Sequence, residues 1–330
     1  MRAETILFPT EAGLYCPSGG FHIDPVRPVA RALITHAHSD HARAGHQAVL
    51  ATRETLDIMA IRMGEDFAAE TQEATGPLTI GDVTVEFFPA GHILGSAQIR
   101  VTPKAGPRIV VSGDYSRAPN PTCTPFQPVD CEVFVTEATF GLPVFHFPDP
   151  MEEMQRLLAS MAEFPERPHL VSAYSLGKAQ HLIALLRAAG HDAPIAIHGA
   201  MQRICDYYAA RGIALGTLIP ATADEVPAQL VLAPPGAVDT PWAQRFRDPV
   251  QAYASGWMAV RARARQRATE LPLVISDHVD WGQLTGTLTE LAPSEVWITH
   301  GAEDGVMRWC ELQGMPARPL RLVGYEDEAE

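Results

Sequence analysis

No apolar run in this chain of 330 residues approaches the roughly 20 residues that span a bilayer. The sequence therefore predicts no membrane helix. Its first residues, Met1-Arg2-Ala3-Glu4-Thr5, contain no apolar core of a secretory signal, and the expectation is a cytoplasmic protein. Cysteine is scarce. Cys16, Cys123, Cys131, Cys205 and Cys310 are odd in number and show no C-x-x-C spacing. This argues against a disulfide framework and reads as reduced packing residues. Cys16 lies in a Gly-rich turn, where it is either packing or support for a neighbouring group. Positive charge is also short, with 25 Lys and Arg against 39 Asp and Glu and a net charge of −14. That balance argues against binding nucleic acid through broad electrostatics. It leaves room for a site in which bound cations are the dominant local charges.

What is present suits a folded chain. Apolar residues make up 46% of the sequence, enough for a well-buried core in one large domain or two medium ones. The acidic tail Glu326-Asp327-Glu328-Ala329-Glu330 is the one stretch that reads as disordered.

The densest chemistry lies in Thr35-His36-Ala37-His38-Ser39-Asp40-His41, after the short apolar run Ala32-Leu33-Ile34. Four possible metal ligands fall within six residues at the end of a strand. His36 and His38 are two apart and reach one side of an extended segment. Asp40 and His41 follow as the chain turns. One cation cannot easily take all four from so short a loop, whereas two side by side can. Imidazole and carboxylate suit zinc, iron or manganese, and two metals about 3.5–4 Å apart can clamp the attacking and leaving oxygens of a hydrolytic displacement. The plain alternative is a polar solvent loop, which the crowding of three His and an Asp behind one strand disfavours.

Further polar residues stand at strand ends. Asp24, before Pro25, is either an ordinary turn residue or an acceptor for the second ring nitrogen of a ligating His. A strand from Ala48 leads to Thr52, which can cap a helix to about Met63 that Gly64 ends. Val83 to Phe88 alternates like a strand and runs into Gly91-His92, where glycine allows close backbone approach. Ile109 to Ser112 ends in Gly113-Asp114, and Val133 to Thr136 ends in Glu137. Leu273 to Ser276 ends in Asp277-His278, and Val296 to Thr299 ends in His300-Gly301. His278 is a candidate general acid, since imidazole can protonate a leaving alkoxide near neutral pH.

From about Phe147 the texture changes to alternating strands and helices, the pattern of a separate parallel sheet. The helical stripe Met154, Leu157, Leu158 and Met161 is core. Gly177-Lys178 is not a phosphate-binding P-loop, because the spaced glycine and following hydroxyl are missing. Ser175 and Lys178 are candidates for a phosphate contact at a helix N-terminus, or else ordinary loop residues. Arg261, Arg263, Arg265 and Arg267 form a concentrated basic run that either holds a phosphate backbone or is a solvated loop.

Taken together, Asp24, the H-x-H-x-D-H run at 36–41, His92, Asp114, Glu137, His278 and His300 resemble the motifs of the β-CASP nucleases, a branch of the metallo-β-lactamase superfamily. Gly13-Leu14-Tyr15-Cys16, Ser172 to Gln180 and Ser255-Gly256-Trp257-Met258 are most similar to a bacterial subfamily of DNA ligase-associated exonucleases. The resemblance implies an α/β protein with a four-layer αββα core formed by 1–146 and 270–330. Into it would be inserted a β-CASP α/β cap at 147–269, with the chemistry in the cleft between them. It implies two divalent metal ions, zinc first, with manganese or iron as alternatives. One would be held by His36, His38, His92 and Asp114, and the other by Asp40, His41, His300 and the shared Asp114. A bridging hydroxide would attack phosphorus, with His278, oriented by Glu137, serving the departing oxygen. The substrate would be DNA, in repair, alongside a DNA ligase and a helicase. A histidine at the position of His300 is shared with RNA-processing members, which keeps RNA in play. A small-molecule hydrolase and an inactive scaffold are the remaining readings.

Overall fold

The computed structural model describes residues 2–221, 228–320 and 322. The acidic tail at 326–330 lies outside the described residues. The described chain divides into two compact units: Met1–Pro119 with Cys123–Phe145 and His278–Glu330, and Asn120–Thr122 with His146–Asp277.

The first unit is built on two sheets. In the first, the strands lie in the order Phe8–Thr10, Gly13–Cys16, Phe21–Ile23, Arg31–Leu33, His46–Ala51 and Ala68–Glu73. The pairing turns from antiparallel to parallel at Phe21–Ile23. The second has seven strands, ordered Ala317–Pro319, Glu295–Gly301, Val133–Ala138, Ile109–Val111, Ala97–Pro103, Val83–Pro89 and Leu78–Ile80.

Alternation along each strand explains the layering. Leu14, Phe21, Ile23, Leu33 and Leu50 of the first sheet share one buried core with Val85, Ile99, Val133, Val135 and Trp297 of the second. One residue along, Phe134, Val296 and Ile298 face the other way, against Leu284, Leu288, Val306 and Cys310. Those partners come from the helices Trp281–Leu291 and Glu303–Leu312. On the first sheet, Ala32 and Val49 are the oppositely directed, fully buried residues. The helix Arg53–Met63 follows that sheet's fifth strand and buries Thr55, Leu56, Ile58 and Met59. The result is helix, sheet, sheet, helix. Each large apolar side chain removed from water in these layers contributes roughly 1.5–3 kcal/mol.

Local signals set the boundaries. The Thr52 hydroxyl accepts from the Thr55 amide at 3.3 Å and starts the helix, and Gly64, at φ 98°, ends it. The strand at Val133 runs through Glu137 to Ala138, with an irregular register between Thr136 and Ala138. The last long strand likewise continues past Thr299 through His300 to Gly301.

The second unit carries a six-stranded sheet in the order Leu218–Pro220, Ile195–Ile197, Leu230–Ala233, His169–Ser172, Val250–Ala254 and Leu271–Leu273. All its pairings are parallel. Buried runs such as Leu230–Ala233 are what a sheet covered on both faces requires. The helix Pro150–Glu163 leads into its first strand, and Lys178–Ala188 and Gly199–Ala210 connect later ones.

One expectation needs correction. The sequence places the stretch from 270 with 1–146, with a strand over Leu273–Ser276. Instead Leu271–Leu273 pairs with Val250–Ala254 in the second unit. The strand stops there because the Val274 amide donates to Glu153 Oε2 at 2.8 Å, leaving the ladder. Among the described residues, no helix is long and apolar enough to cross a membrane.

Candidate metal centre

The loop after Arg31–Leu33 is shaped by Asp24, which adopts a left-handed φ of 44°. Its Oδ1 accepts from the Thr35 amide at 2.8 Å and its Oδ2 from the Thr35 hydroxyl at 2.6 Å. Oδ2 also lies 2.8 Å from His41 Nδ1. A carboxylate only accepts, so Nδ1 carries a proton and Nε2 is the ring atom turned toward Asp40 and Asp114, where a cation would displace the second proton that these carboxylates favour. Behind the loop, Gly113 leaves no room for a side chain: a Cβ there would meet Thr35 at 2.8 Å. The His92 turn is tied by its own contacts. Ser96 Oγ accepts from the amides of His92 and Ile93 at 3.1 and 3.2 Å. Gly91, at φ 75°, approaches the Ser116 carbonyl too closely for any Cβ.

These supports bring two groups of ligand atoms together. In the first, His38 Nδ1 is 3.1 Å from His36 Nε2 and 3.0 Å from His92 Nε2. Asp114 Oδ2 is 3.4 Å from His36 Nε2 and 3.8 Å from His92 Nε2. In the second, His41 Nε2 is 3.4 Å from Asp40 Oδ2 and 3.4 Å from Asp114 Oδ1. His300 Nε2 stands 3.5 Å from the same Asp114 oxygen. Ligands about 2.0–2.2 Å from one tetrahedral ion lie about 3.3–3.6 Å apart. The spacings of 3.4 and 3.5 Å match that range, those of 3.0, 3.1 and 3.8 Å lie to either side of it, and the two groups meet at Asp114.

Asp114 supports the fit independently. It is 2% exposed, yet Oδ1 accepts no hydrogen bond among the described residues. Its nitrogen neighbours at 3.4 and 3.5 Å are beyond normal hydrogen-bond length. A buried carboxylate oxygen left in this state is suited to a cation. The donors are nitrogen and oxygen, a set that zinc, manganese and iron accept.

The electrostatics point the same way. Burial opposes ionisation of Asp114, but His41 and His36 outweigh it and hold its pKa well below the usual carboxylate range. Burial also opposes charge on His41, but Asp114, Asp40 and Asp24 prevail and its pKa rises well above the ordinary value. For His36, burial and the neighbouring His41 outweigh Asp114, and its pKa falls well below normal. His36 is thus a neutral imidazole, as a metal ligand must be.

Glu137 and His278 meet at the edge of this group. His278 Nδ1 lies 3.0 and 2.9 Å from the two Glu137 oxygens. Glu137 is 1% exposed and also accepts from the Tyr115 amide at 2.9 Å and the Thr139 hydroxyl at 2.6 Å. Asp114, Glu137 and His278 approach closely enough to form a third cluster, so the dyad adjoins the ligands.

Two residues that sequence reasoning missed are Thr35 and Thr299. Their hydroxyls stand 3.1 Å from His36 Nδ1 and 2.9 Å from His300 Nδ1. The signal was the repeated dipeptide Thr-His at 35–36 and 299–300. Cys16 belongs to the inner core and is packing.

The expected phosphate contacts all lie in the second unit. Lys178 is 5% exposed, donates to the Ile275 carbonyl at 3.1 Å and pairs with Asp277 at 3.0 Å. That ammonium is committed inside the fold, which corrects its assignment as a phosphate contact. Ser175 is half-buried, and its carbonyl accepts from Gln180 Nε2 at 3.0 Å. Arg261 opens the helix Arg261–Gln266 and is exposed. Arg263 lies over the Trp257 ring, 3.7 Å from its centroid, a stacked cation rather than a free one.

The αββα layering and the shared-carboxylate ligand set define a protein of the metallo-β-lactamase class. No family model matches the chain. It is 26% identical over 330 residues to a probable DNA ligase of Opitutus terrae, covering 96% of this chain and 31% of that protein. It is 31% identical over 144 residues to the endoribonuclease ysh1 of Aspergillus fumigatus, covering 42% of this chain and 16% of that protein. Over 134 residues it is 31% identical to an uncharacterized protein in the lig 3′ region of Acidianus ambivalens, covering 39% of this chain and 89% of that one. The chain therefore spans under a third of the first two relatives. These likenesses, with the layered fold and the ligand set, support the β-CASP branch of the metallo-β-lactamase superfamily.

Proposed function

We propose that this chain is a two-metal phosphodiesterase, acting on DNA as an exonuclease in repair, in the cytoplasm. The observation that supports this most is the pair of ligand groups sharing Asp114, with the Glu137–His278 dyad beside them. In this reading His36, His38, His92 and Asp114 hold one divalent cation, and Asp40, His41, His300 and Asp114 the other. Zinc is the expected ion, with manganese or iron as alternatives. When bound, the pair would activate water at neutral pH and neutralise charge on the phosphate.

The chain's own residues supply the rest. With His278 as the imidazolium, Glu137 accepts from its Nδ1–H, and the Nε2 proton would pass to the departing oxygen, leaving a neutral ring. Asp24 and Thr35 fix the ring orientations of His41 and His36. Arg261, with Arg263, would contact the phosphate backbone.

DNA is favoured over RNA by the likeness to a probable DNA ligase, which covers nearly the whole chain. It suggests that this chain works alongside a DNA ligase, and a helicase is the other proposed partner. A ribonuclease reading draws on His300 and on the likeness to an endoribonuclease.

The test is incubation of metal-loaded protein with 5′- and 3′-labelled DNA and RNA oligomers of one sequence. Stepwise shortening of DNA from one end supports the proposal. Cleavage of RNA alone would transfer the assignment to RNA processing. Hydrolysis of a lactone with no phosphodiester cleaved would overturn both.

A further inference from the structure

The helix Arg53–Met63 is tied to both loops that supply the first ligand group. At its start, the hydroxyls of Thr52 and Thr55 donate to the Gly95 carbonyl at 2.6 and 3.1 Å. Gly95 sits in the His92 loop, so close that a Cβ there would meet Glu54 Cβ at 2.6 Å. In its last turn, Arg62 donates through Nη1 to the carbonyl of Ala37. Ala37 lies between His36 and His38.

This places a permanent cation against the ligand loop. Arg62 is an exposed residue overall, with its guanidinium partly buried against the loop. Its guanidinium has five N–H donors in a planar fork, and the carbonyl of Ala37 does not use them all. Asp40, a ligand carboxylate with 26% of its side chain exposed, acts on Arg62 through its charge. Burial against the loop lowers the Arg62 pKa and Asp40 raises it, and the group remains charged at neutral pH. In a chain of net charge −14, an arginine held at this point matters to a polyanion.

We propose that Arg62 is a substrate-binding residue, whose remaining N–H groups hold the non-bridging oxygens of a nucleic-acid phosphate beside the metal centre. The inference rests on the phosphodiesterase reading above. The helix gives the guanidinium a fixed position, so little freedom is lost on binding. A planar fork matches two phosphate oxygens at once, which an ammonium cannot do.

The competing role is a brace, in which Arg62 only fastens Ala37. Arg62→Gln separates the two, because it keeps an N–H donor for the carbonyl while removing the charge. The experiment measures binding of a fluorescent single-stranded DNA oligomer to metal-loaded protein across a potassium chloride series. Metal content is read by elemental analysis, and hydrolysis of bis(p-nitrophenyl) phosphate is followed alongside. For a phosphate contact, Arg62→Gln retains its metal, binds DNA about tenfold more weakly at low salt, and loses about 0.7 from the log–log salt slope. A wild-type slope, or loss of metal from Arg62→Gln, overturns the assignment. If wild-type protein hydrolyses neither oligomers nor bis(p-nitrophenyl) phosphate, the phosphodiesterase reading fails instead. An active wild type with an unchanged slope in the variant sinks only Arg62.

Discussion

His278 Nδ1 stands 2.9 Å from Glu137 Oε2, and Glu137 spends its other contacts on the Tyr115 amide and the Thr139 hydroxyl. The carboxylate is held by two donors before it meets the imidazole. Glu137 sits at an irregular point of its strand, between Thr136 and Ala138. Such irregularities re-aim a side chain that regular alternation would send elsewhere.

If Glu137 acts through His278, the two should not be additive. Glu137→Gln is expected to lower kcat by about 10²-fold while metal content stays at the wild-type level. His278→Ala should cost at least as much. The double variant should be no slower than His278→Ala alone, since the orienting group has nothing left to orient. Multiplied losses in the double variant would separate the two residues.

The parts of the centre legible in the sequence were those where residue type alone restricts chemistry. His36, His38, Asp40 and His41 fall in one loop, and His92, Asp114 and His300 each follow an apolar strand; the structure brings their ligand atoms within 3.0–3.8 Å of a neighbour. Asp24 stayed ambiguous because its role depends on a left-handed backbone that Asp-Pro spacing does not announce. Thr35 and Thr299 went unseen because a hydroxyl before a histidine is ordinary until the ring orientation is known. Lys178 misled for the opposite reason. A lysine after glycine at a helix start looks like an anion contact, and only the fold shows Asp277 lying against it. Among boundaries, the end of Leu271–Leu273 was invisible because its cause is a distant side chain, Glu153.

Asp24 gives a prediction about metal affinity. It accepts from Thr35 twice and faces His41 Nδ1 at 2.8 Å. Asp24→Asn places an amide where three donors converge, so His41 loses its orientation. Affinity for one of two bound ions should fall about 10–100-fold. Competition with a chromogenic chelator would show one weakened site and one of wild-type strength. Two unchanged sites would remove Asp24 from this role.

Stripping the metals should destabilise the first unit. Asp40 and Asp114 both lie 3.4 Å from His41 Nε2, and without cations the two carboxylates crowd one imidazole. Adding back zinc or manganese at about 100 times its Kd should stabilise the protein by about 2.7 kcal/mol per site. A rise in Tm that saturates at two ions per chain is the expected readout. His36→Ala should lose the first ion and with it phosphodiester hydrolysis. Retained hydrolysis in that variant would remove the first ligand group from the chemistry.

Lys178 and Arg261 should respond in opposite ways, although both were candidates for holding phosphate. The Lys178 ammonium is 3.0 Å from Asp277 and donates to the Ile275 carbonyl, with only 7% of its side chain exposed. Asp277 also faces His181 Nδ1 at 2.7 Å. Lys178→Met leaves a buried carboxylate short of its cation, a change that costs about 3–5 kcal/mol in comparable pairs. Arg261 is exposed in a short helix, so Arg261→Ala should change stability by less than about 0.5 kcal/mol. Its charge is free to meet a polyanion, and its loss should lower the salt slope of DNA binding by about 0.7–0.9. Denaturation midpoints and salt titrations of the two variants therefore form a crossed pair. A Lys178→Met protein of wild-type stability but shallower salt slope would restore the phosphate role to Lys178. An Arg261→Ala protein with an unchanged slope would leave that arginine as a solvated surface charge.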